Sequence, residues 1–389
     1  MSRTTAALTN ATVHTGTAVL TGHAVLLDDG GRIAGVVPLA ELPAGVARAD
    51  LGGGVLAPGF IDVQVNGGGG VLFNDAPTPE AIARIGAAHR RFGTTGFLPT
   101  LISTDRETMA RAASAVRAAL AERTPGVLGL HFEGPHLNPA RRGIHDARHI
   151  RPLAAGDLDL LTSLGDAGVT VVTLAPERVP PEAIRTLAAR HVRVCAGHTD
   201  GTRAELGAAI REGVAGFTHL FNAMSQLGSR EPGAVGTALA DPDVFCNIIV
   251  DGHHVHDDSV RIAWRAKARG RLFLVTDAMP PVGAEGAAVS GFRLGGRDIA
   301  VRAGRCVAGD GRLAGSALDM AGAVRRCVRR VGVPLDEALR MASTYPAEFL
   351  GRGGELGRIA PGWRADLVLL DGRDLRVRAT WIGGRMAAA

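Results

Sequence analysis

Eight short apolar runs recur through the middle of the chain: Phe60–Val65, Thr95–Pro99, Val127–Phe132, Val169–Leu174, Val192–Ala196, Ala215–Thr218, Phe245–Val250 and Leu272–Thr276. They are short enough to be strands and lack a helical period. Between them lie Ala/Arg/Glu-rich stretches that read as helices, among them Pro79–Phe92, Asp105–Arg123, Pro181–Arg190, Ala204–Glu212 and Asp257–Arg269. Strand, loop and helix repeated eight times predict the α/β class and a closed, TIM-like (β/α)8 barrel. An open doubly wound sheet would also alternate, but here polar residues stand at many different strand ends, which favours closure.

The two ends of the chain have another pattern. Residues 1–57 alternate apolar and polar positions around an Asp28-Asp29-Gly30-Gly31 turn, and Gly362–Met386 has the same character. The expectation is a small β-sandwich domain built from both termini, residues 1–57 and 358–389, with the barrel spanning 58–357. The Gly67–Gly70 run after the first strand reads as a loop in which backbones approach closely.

Composition narrows the partners. The formal charge of +5 comes from arginine scattered among acids, lysine occurs once, at Lys267, and no basic run is interleaved with aromatics. That argues against a nucleic-acid partner. No apolar run approaches the roughly 20 residues of a membrane span, and no leader pattern opens the chain, so a cytoplasmic protein is expected. Cys195, Cys246, Cys306 and Cys327 are widely spaced and read as buried free thiols rather than a disulfide framework or a thiolate metal site.

The chemistry lies where the apolar runs stop. Glu133 ends VLGLHFE, His198 ends VRVCAGH, His219 ends AGFTH and Asp277 ends LFLVTD. In a barrel of this kind the strand ends form one rim, and the active site is built there. The 21-residue spacing of His198 and His219 is about one strand–helix unit, which brings the two imidazoles together. With Glu133 they form a ligand set suited to zinc or iron(II) with a position left open for water. Asp277, at the eighth strand, is read as the group that takes a proton from water and passes it on. Alternation in FIDVQVN turns Asp62, Gln64 and Asn66 into the barrel, Gln64 and Asn66 nearest its mouth. His131 reads as a hydrogen-bonded core histidine and Asp62 as part of a buried polar network. His145, Asn222, Arg230 and His254 are loop candidates, and His14, His23, His89, His149 and His191 are assigned to the surface.

The motifs APGFIDVQVNGGGG, GLHFEGPHLN, AGHTD, THLFNAM with REPG, DGHHV, LVTDAMP and LAGSALDM follow one another from Ala57 to Trp363. As a set they resemble the N-acetylglucosamine-6-phosphate deacetylases of the amidohydrolase superfamily. The resemblance implies hydrolysis of N-acetyl-D-glucosamine 6-phosphate to glucosamine 6-phosphate and acetate by a homodimer. It implies Glu133, His198 and His219 as ligands of a divalent metal, zinc foremost, with iron, cobalt or manganese as alternatives. It further implies Asp277 as catalytic acid/base, His145 as a catalytic contact to the amide carbonyl, and Asn222 with the Ala223 backbone as sugar or phosphate contacts. His254 and an Arg230 reaching in from the neighbouring subunit would bind phosphate, and Leu313-Ala314-Gly315 would line the acyl end.

Two departures from the superfamily pattern matter. Gln64 and Asn66 stand where a His-x-His pair would hold a second ion, so one metal per subunit is expected. LAGS replaces the commoner LSGS. A dihydroorotase-like or dipeptidase-like hydrolase, acting on a cyclic amide or dipeptide, would want that histidine pair and often a carboxylated lysine, for which the chain offers only Lys267. A catalytically silent sugar-phosphate-binding barrel would have no need to keep all four strand-end residues.

Overall fold

In the computed structural model, which describes residues 3–286 and 290–388, the eight apolar runs form one parallel sheet. Its strands are Phe60–Val65, Thr94–Ile102, Gly129–Glu133, Val169–Leu174, Arg193–Ala196, Val214–Phe217, Phe245–Ile249 and Leu272–Val275, neighbours in space in the same order as in sequence. The sheet closes just beyond its last strand: Asp277 N–H donates to the Gln64 carbonyl at 3.0 Å, and Asn66 N–H donates to the Ala278 carbonyl at 2.9 Å. The eight-stranded barrel expected from the sequence is thus realised.

The strands are buried on both faces, as a barrel wrapped in helices requires. Ile61, Val63, Val65, Leu98, Leu130, Val172, Val194, Ile248 and Leu274 share one core with helix residues such as Ile82, Ile85, Val116 and Leu187. The helices start where the sequence supplies caps. Thr78 accepts from Ala81 N–H before Pro79–Arg90, and Asp105 accepts from Thr108 N–H before Arg106–Ala121. Thr202 and Glu205 form a reciprocal capping box before Arg203–Glu212. None of the described helices is long and apolar enough to cross a membrane.

The chain ends form the expected sandwich. One sheet orders Ile33–Pro38, His23–Asp28, Thr4–Thr9 and Ala47–Asp50; the other orders Arg385–Ala388, Val377–Ile382, Leu367–Leu370, Val55–Pro58, Thr12–His14 and Val19–Leu20. The two ends of the chain meet directly, Leu367–Leu370 running antiparallel to Val55–Pro58. Leu8, Val25, Leu27, Leu56, Leu367, Leu369 and Trp381 fill the space between the sheets.

A further sheet was not foreseen. Gly291–Leu294, Arg297–Arg302, Arg305–Ala308 and Leu313–Ser316 form a four-stranded antiparallel insertion after the eighth barrel strand. Its Leu294, Ile299, Cys306, Ala308 and Ala314 pack with Leu72, Ile102 and Met279 near the barrel mouth. The Gly67–Gly70 run makes a short hairpin: a Cβ on Gly67 would lie 2.4 Å from the Val71 carbonyl oxygen. All four cysteines are buried free thiols, as expected.

Two histidines assigned to the surface are instead interior. His89 is fully buried at the end of helix Pro79–Arg90 and contacts the Gly67 carbonyl at 2.9 Å; burial pushes its pKa down to about 4. His14 is buried among Asp336, Arg340 and the sandwich base, where burial also lowers its pKa. In both cases the neighbour that covers the imidazole comes from a distant segment, which local sequence does not reveal.

Candidate metal centre and active site

Glu133 is the last residue of the third strand, and His198, His219 and Asp277 lie just past the ends of the fifth, sixth and eighth. Their backbones explain how they converge. His198, His219 and Asp277 have φ of 48°, 35° and 53°, and Ala223 has 49°. Left-handed conformations at residues with a Cβ cost on the order of 1–3 kcal/mol each and persist only where the surroundings enforce them. Here they turn the chain sharply at the strand end. The main chain of His219 is held by Asn247 of the seventh strand, whose Oδ1 accepts from His219 N–H at 2.6 Å and whose carbonyl accepts from Leu220 N–H at 2.8 Å.

The result is a close cluster. Glu133 Oε1 lies 3.0 Å from His198 Nε2 and 2.9 Å from His219 Nε2, and the two Nε2 atoms are 3.1 Å apart. All three residues are buried, and their ligand atoms lie within 4.8 Å of one another, as a metal site requires. The tautomer also fits. His198 Nδ1 is 2.9 Å from the Arg141 carbonyl oxygen, which only accepts, so the ring proton sits on Nδ1 and Nε2 presents a lone pair. Two imidazole nitrogens and a carboxylate turned on one point are a coherent donor set for a divalent cation.

Asp277 faces this cluster under different conditions. Burial first, and then the neighbouring Glu133 charge, push its carboxyl up to about 7. Its Oδ1 accepts from Asn66 Nδ2 at 2.6 Å and Gln64 Nε2 at 3.3 Å. The two first-strand amides therefore turn N–H groups, not lone pairs, toward the site. Beneath them Asp62 is fully buried and accepts from Gln64 N–H, Thr276 N–H and the Thr276 hydroxyl, and burial pushes it up to about 7. His131, deeper still, contacts the Val63 carbonyl at 3.0 Å and Thr173 Oγ at 2.8 Å, a core histidine as expected.

Around the cluster lies a cavity of about 320 Å³, lined by Glu133, His198, His219 and Asp277 with loop residues His145, Asn222, Ala223 and His254. That volume is at the small end of ligand pockets. His145 Nε2 is 3.9 Å from Glu133 Oε1; burial, then the neighbouring His198, push its pKa down to about 3. Also lining the cavity, His254 contacts Asp251 Oδ2 through Nδ1 at 2.7 Å. Burial works against its charge, yet the hydrogen bond to Asp251 and that residue's charge raise its pKa, while Asp251 is held down to about 2. His254 is thus a buried imidazole beside the cavity whose protonated form Asp251 favours. Leu313 and Gly315 of the inserted sheet complete the wall, with Ala314 buried behind it.

Arg230 is exposed on the loop before helix Gly233–Ala240 and does not line the cavity of its own chain. The cavity also contains residues that sequence reasoning missed: Arg141, which pairs with Asp200 at 2.8 Å, and Arg312, which pairs with Asp310 at 2.6 Å and donates to the Gly143 carbonyl at 3.1 Å. Neither ends an apolar run, so nothing in the local pattern marks them. A larger hollow of about 1130 Å³ against the inserted sheet contains none of the four strand-end residues.

Comparison with known proteins agrees with this geometry. The amidohydrolase family profile matches residues 55–387, and that of the NagA composite domain matches residues 6–56. The N-acetylgalactosamine-6-phosphate deacetylase of Shewanella sp. is 45% identical over 94% of this chain and 92% of its own length. The N-acetylglucosamine-6-phosphate deacetylase of Haemophilus influenzae is 36% identical, with 93% and 94% covered. Among solved structures, the N-acetylglucosamine-6-phosphate deacetylase of Pasteurella multocida superposes with a TM-score of 0.94 at 35% identity, covering 98% of this chain and 99% of its own. That of Mycobacterium smegmatis gives 0.90 at 35% identity, covering 98% and 100%. The chain belongs to the amidohydrolase family, in its group of N-acetylhexosamine-6-phosphate deacetylases.

Proposed function

We propose that the protein hydrolyses the acetamide of N-acetyl-D-glucosamine 6-phosphate, releasing acetate and glucosamine 6-phosphate. The observation that carries this reading is the buried Glu133/His198/His219 cluster with a second carboxylate, Asp277, opening on the same small cavity. A divalent ion held by those three residues supplies Lewis acidity, which acidifies water and polarises a carbonyl. Asp277 accepts the proton of the attacking water and returns it to the departing amine, a task suited to a carboxyl whose pKa is raised toward neutrality. His145 donates a hydrogen bond to the acyl oxygen as negative charge builds on it.

Other residues of the cavity bind the substrate. His254, whose protonated form Asp251 favours, takes the phosphate together with Arg230 of a neighbouring subunit in a homodimer. Asn222 and the Ala223 backbone hold the sugar, and Leu313-Ala314-Gly315 lies at the acyl end. One metal per subunit is supported by the first strand, since Gln64 and Asn66 spend their amide N–H groups on Asp277. Zinc is the ion we assign, with iron, cobalt and manganese compatible with the same donors. Four buried free thiols support a cytoplasmic location.

The 4-epimer, N-acetylgalactosamine 6-phosphate, is a second substrate to be considered, because the Shewanella relative at 45% identity carries that name. The deciding experiment measures acetate release from both sugar phosphates and from unphosphorylated N-acetylglucosamine, with and without a chelator. Metal-dependent release from the phosphorylated glucosamine derivative is expected. Release from neither phosphate refutes the assignment, and faster release from the galactosamine derivative reverses the order of substrates.

A further inference from the structure

His145 approaches the cavity from a loop, and its usefulness depends on which ring nitrogen carries the proton. A neutral imidazole has one N–H and one lone pair. With the proton on Nε2, the nitrogen 3.9 Å from Glu133 Oε1, the ring can donate to an acyl oxygen. With the proton on Nδ1 it would turn a lone pair toward that oxygen and repel the charge that develops there.

The structure holds a device that decides between the two. Ser103, the residue after the second barrel strand, is buried and absent from the cavity lining. Its main-chain N–H donates to His145 Nδ1 at 3.3 Å, and its Oγ lies 2.8 Å from the same nitrogen. A main-chain N–H can only donate, so Nδ1 must accept, and the hydroxyl facing that nitrogen must donate as well. The ring proton is then left on Nε2.

The surroundings keep Ser103 in place. Asn74 clamps the preceding residue from both sides, donating through Nδ2 to the Ile102 carbonyl at 3.1 Å and accepting from Ile102 N–H at 3.0 Å. On the other side Gly134, next to the metal-ligand candidate Glu133, makes room for the hydroxyl: a Cβ there would lie 2.3 Å from Ser103 Oγ. Glycine is also suited to the φ of +87° at that position. The close approach therefore serves the serine hydroxyl.

We propose that Ser103 is a positioning residue that fixes His145 as its Nε2–H tautomer and thereby makes it a hydrogen-bond donor to the acyl oxygen. This rests on the deacetylase reading for its catalytic consequence, but the tautomer itself can be measured independently of activity.

The test uses the full-length, zinc-loaded protein with ¹⁵N-labelled histidine rings, His145 being assigned by the signals lost in His145→Asn. The parent is expected to show the proton on Nε2 at neutral pH. Ser103→Ala, which leaves only the long main-chain contact, should move both nitrogen signals toward their mean. The loss of one buried hydrogen bond should lower kcat about three- to tenfold while KM changes by less than about twofold. Ser103→Thr, which keeps the hydroxyl, should recover the parent spectrum. A proton on Nδ1 in the parent overturns the proposal, whatever becomes of the variants. So does Ser103→Ala with unchanged nitrogen shifts and kcat. A parent that shows the Nε2 proton but releases no acetate overturns the deacetylase reading instead.

Discussion

Replacing Asp277 by asparagine separates proton transfer from every other job of the site. The substitution keeps shape, and the side-chain oxygen can go on accepting from Asn66 Nδ2 and Gln64 Nε2, now at 2.6 and 3.3 Å. What is lost is the second oxygen, Oδ2, which has no hydrogen-bond partner among the described residues and is free to take a proton. Removing a positioned acid/base costs about 10²- to 10⁴-fold in turnover, or about 3–5 kcal/mol of barrier. The Glu133/His198/His219 cluster is untouched, so metal content should stay at the parent level and KM within about threefold. The pH profile carries a second signature. The ionised form of Asp277 is needed for attack, so activity falls as pH drops through its pKa. That value, about 7 without metal, is drawn lower by a bound cation. The parent should therefore show an acid limb below neutrality, and the residual activity of Asp277→Asn should lack it. Acetate release against pH, with metal analysis of the same samples, decides the matter. A fully metal-loaded variant with turnover within tenfold of the parent, or with the same acid limb, refutes the assignment.

Four further outcomes follow from the same geometry. Glu133→Gln removes the carboxylate that shares one point with both imidazoles, about 3 Å from each, and should cost at least 10-fold in metal affinity by competition with a chelator; unchanged retention would discount Glu133 as a ligand. In Asp251→Asn, His254 loses the partner that raises its pKa, so KM for the phosphorylated substrate should rise at neutral pH. In the parent that affinity should weaken only as pH climbs through the raised value, and identical KM profiles would refute the coupling. Arg230→Ala and Asp277→Asn, each strongly impaired alone, should recover about a quarter of parental activity on mixing and reassembly, because with Arg230 serving the neighbouring site, as proposed, each heterodimer holds one intact site; no recovery argues against a shared site. Asp62→Asn should raise thermal stability at alkaline pH. Asp62, moved from 3.8 to about 7, favours folding below its unfolded pKa and loses that contribution as pH rises toward 7, a swing of about 4 kcal/mol. Allowing about 2 kcal/mol for the lost Thr276 bond, the melting temperature should rise by about 2–3 °C in a chain of this size. The gain should be absent in acid, and a variant less stable at every pH contradicts this account.

The barrel was legible because its strands are short, mostly apolar runs, as a sheet covered on both faces requires, with the first turning alternate polar residues into the barrel. Glu133, His198, His219 and Asp277 were legible because a polar group ending such a run falls on the rim. Other features depend on what lies across space. The inserted sheet was missed because Arg297–Arg302 and Arg305–Ala308 mix arginine and aspartate with apolar residues, only one of their faces being buried. The left-handed turns at His198, His219 and Asp277 have only a weak signature in residue type, since histidine and aspartate enter positive φ more readily than most residues but far less readily than glycine. His89 looked like a surface residue because the Gly67 carbonyl it meets is 22 positions away. Ser103 could not be singled out, since a serine after a strand acquires meaning only when the ring of His145, from a different loop, is laid against it.

The pairing of Val55–Pro58 with Leu367–Leu370 sets an order of events during synthesis. At about 5–20 residues per second, the early strand waits on the order of tens of seconds for its partner to leave the ribosome. During that interval Leu8, Val25, Leu27 and Leu56, which end up in the sandwich core, lack the three C-terminal strands that complete the second sheet. Contacts of such sequence separation also close late in refolding, because the loop entropy between them must be met first. The barrel is thus free to assemble while the sandwich is incomplete, and the apolar N-terminal segment is where nascent or destabilised chains are most exposed to aggregation.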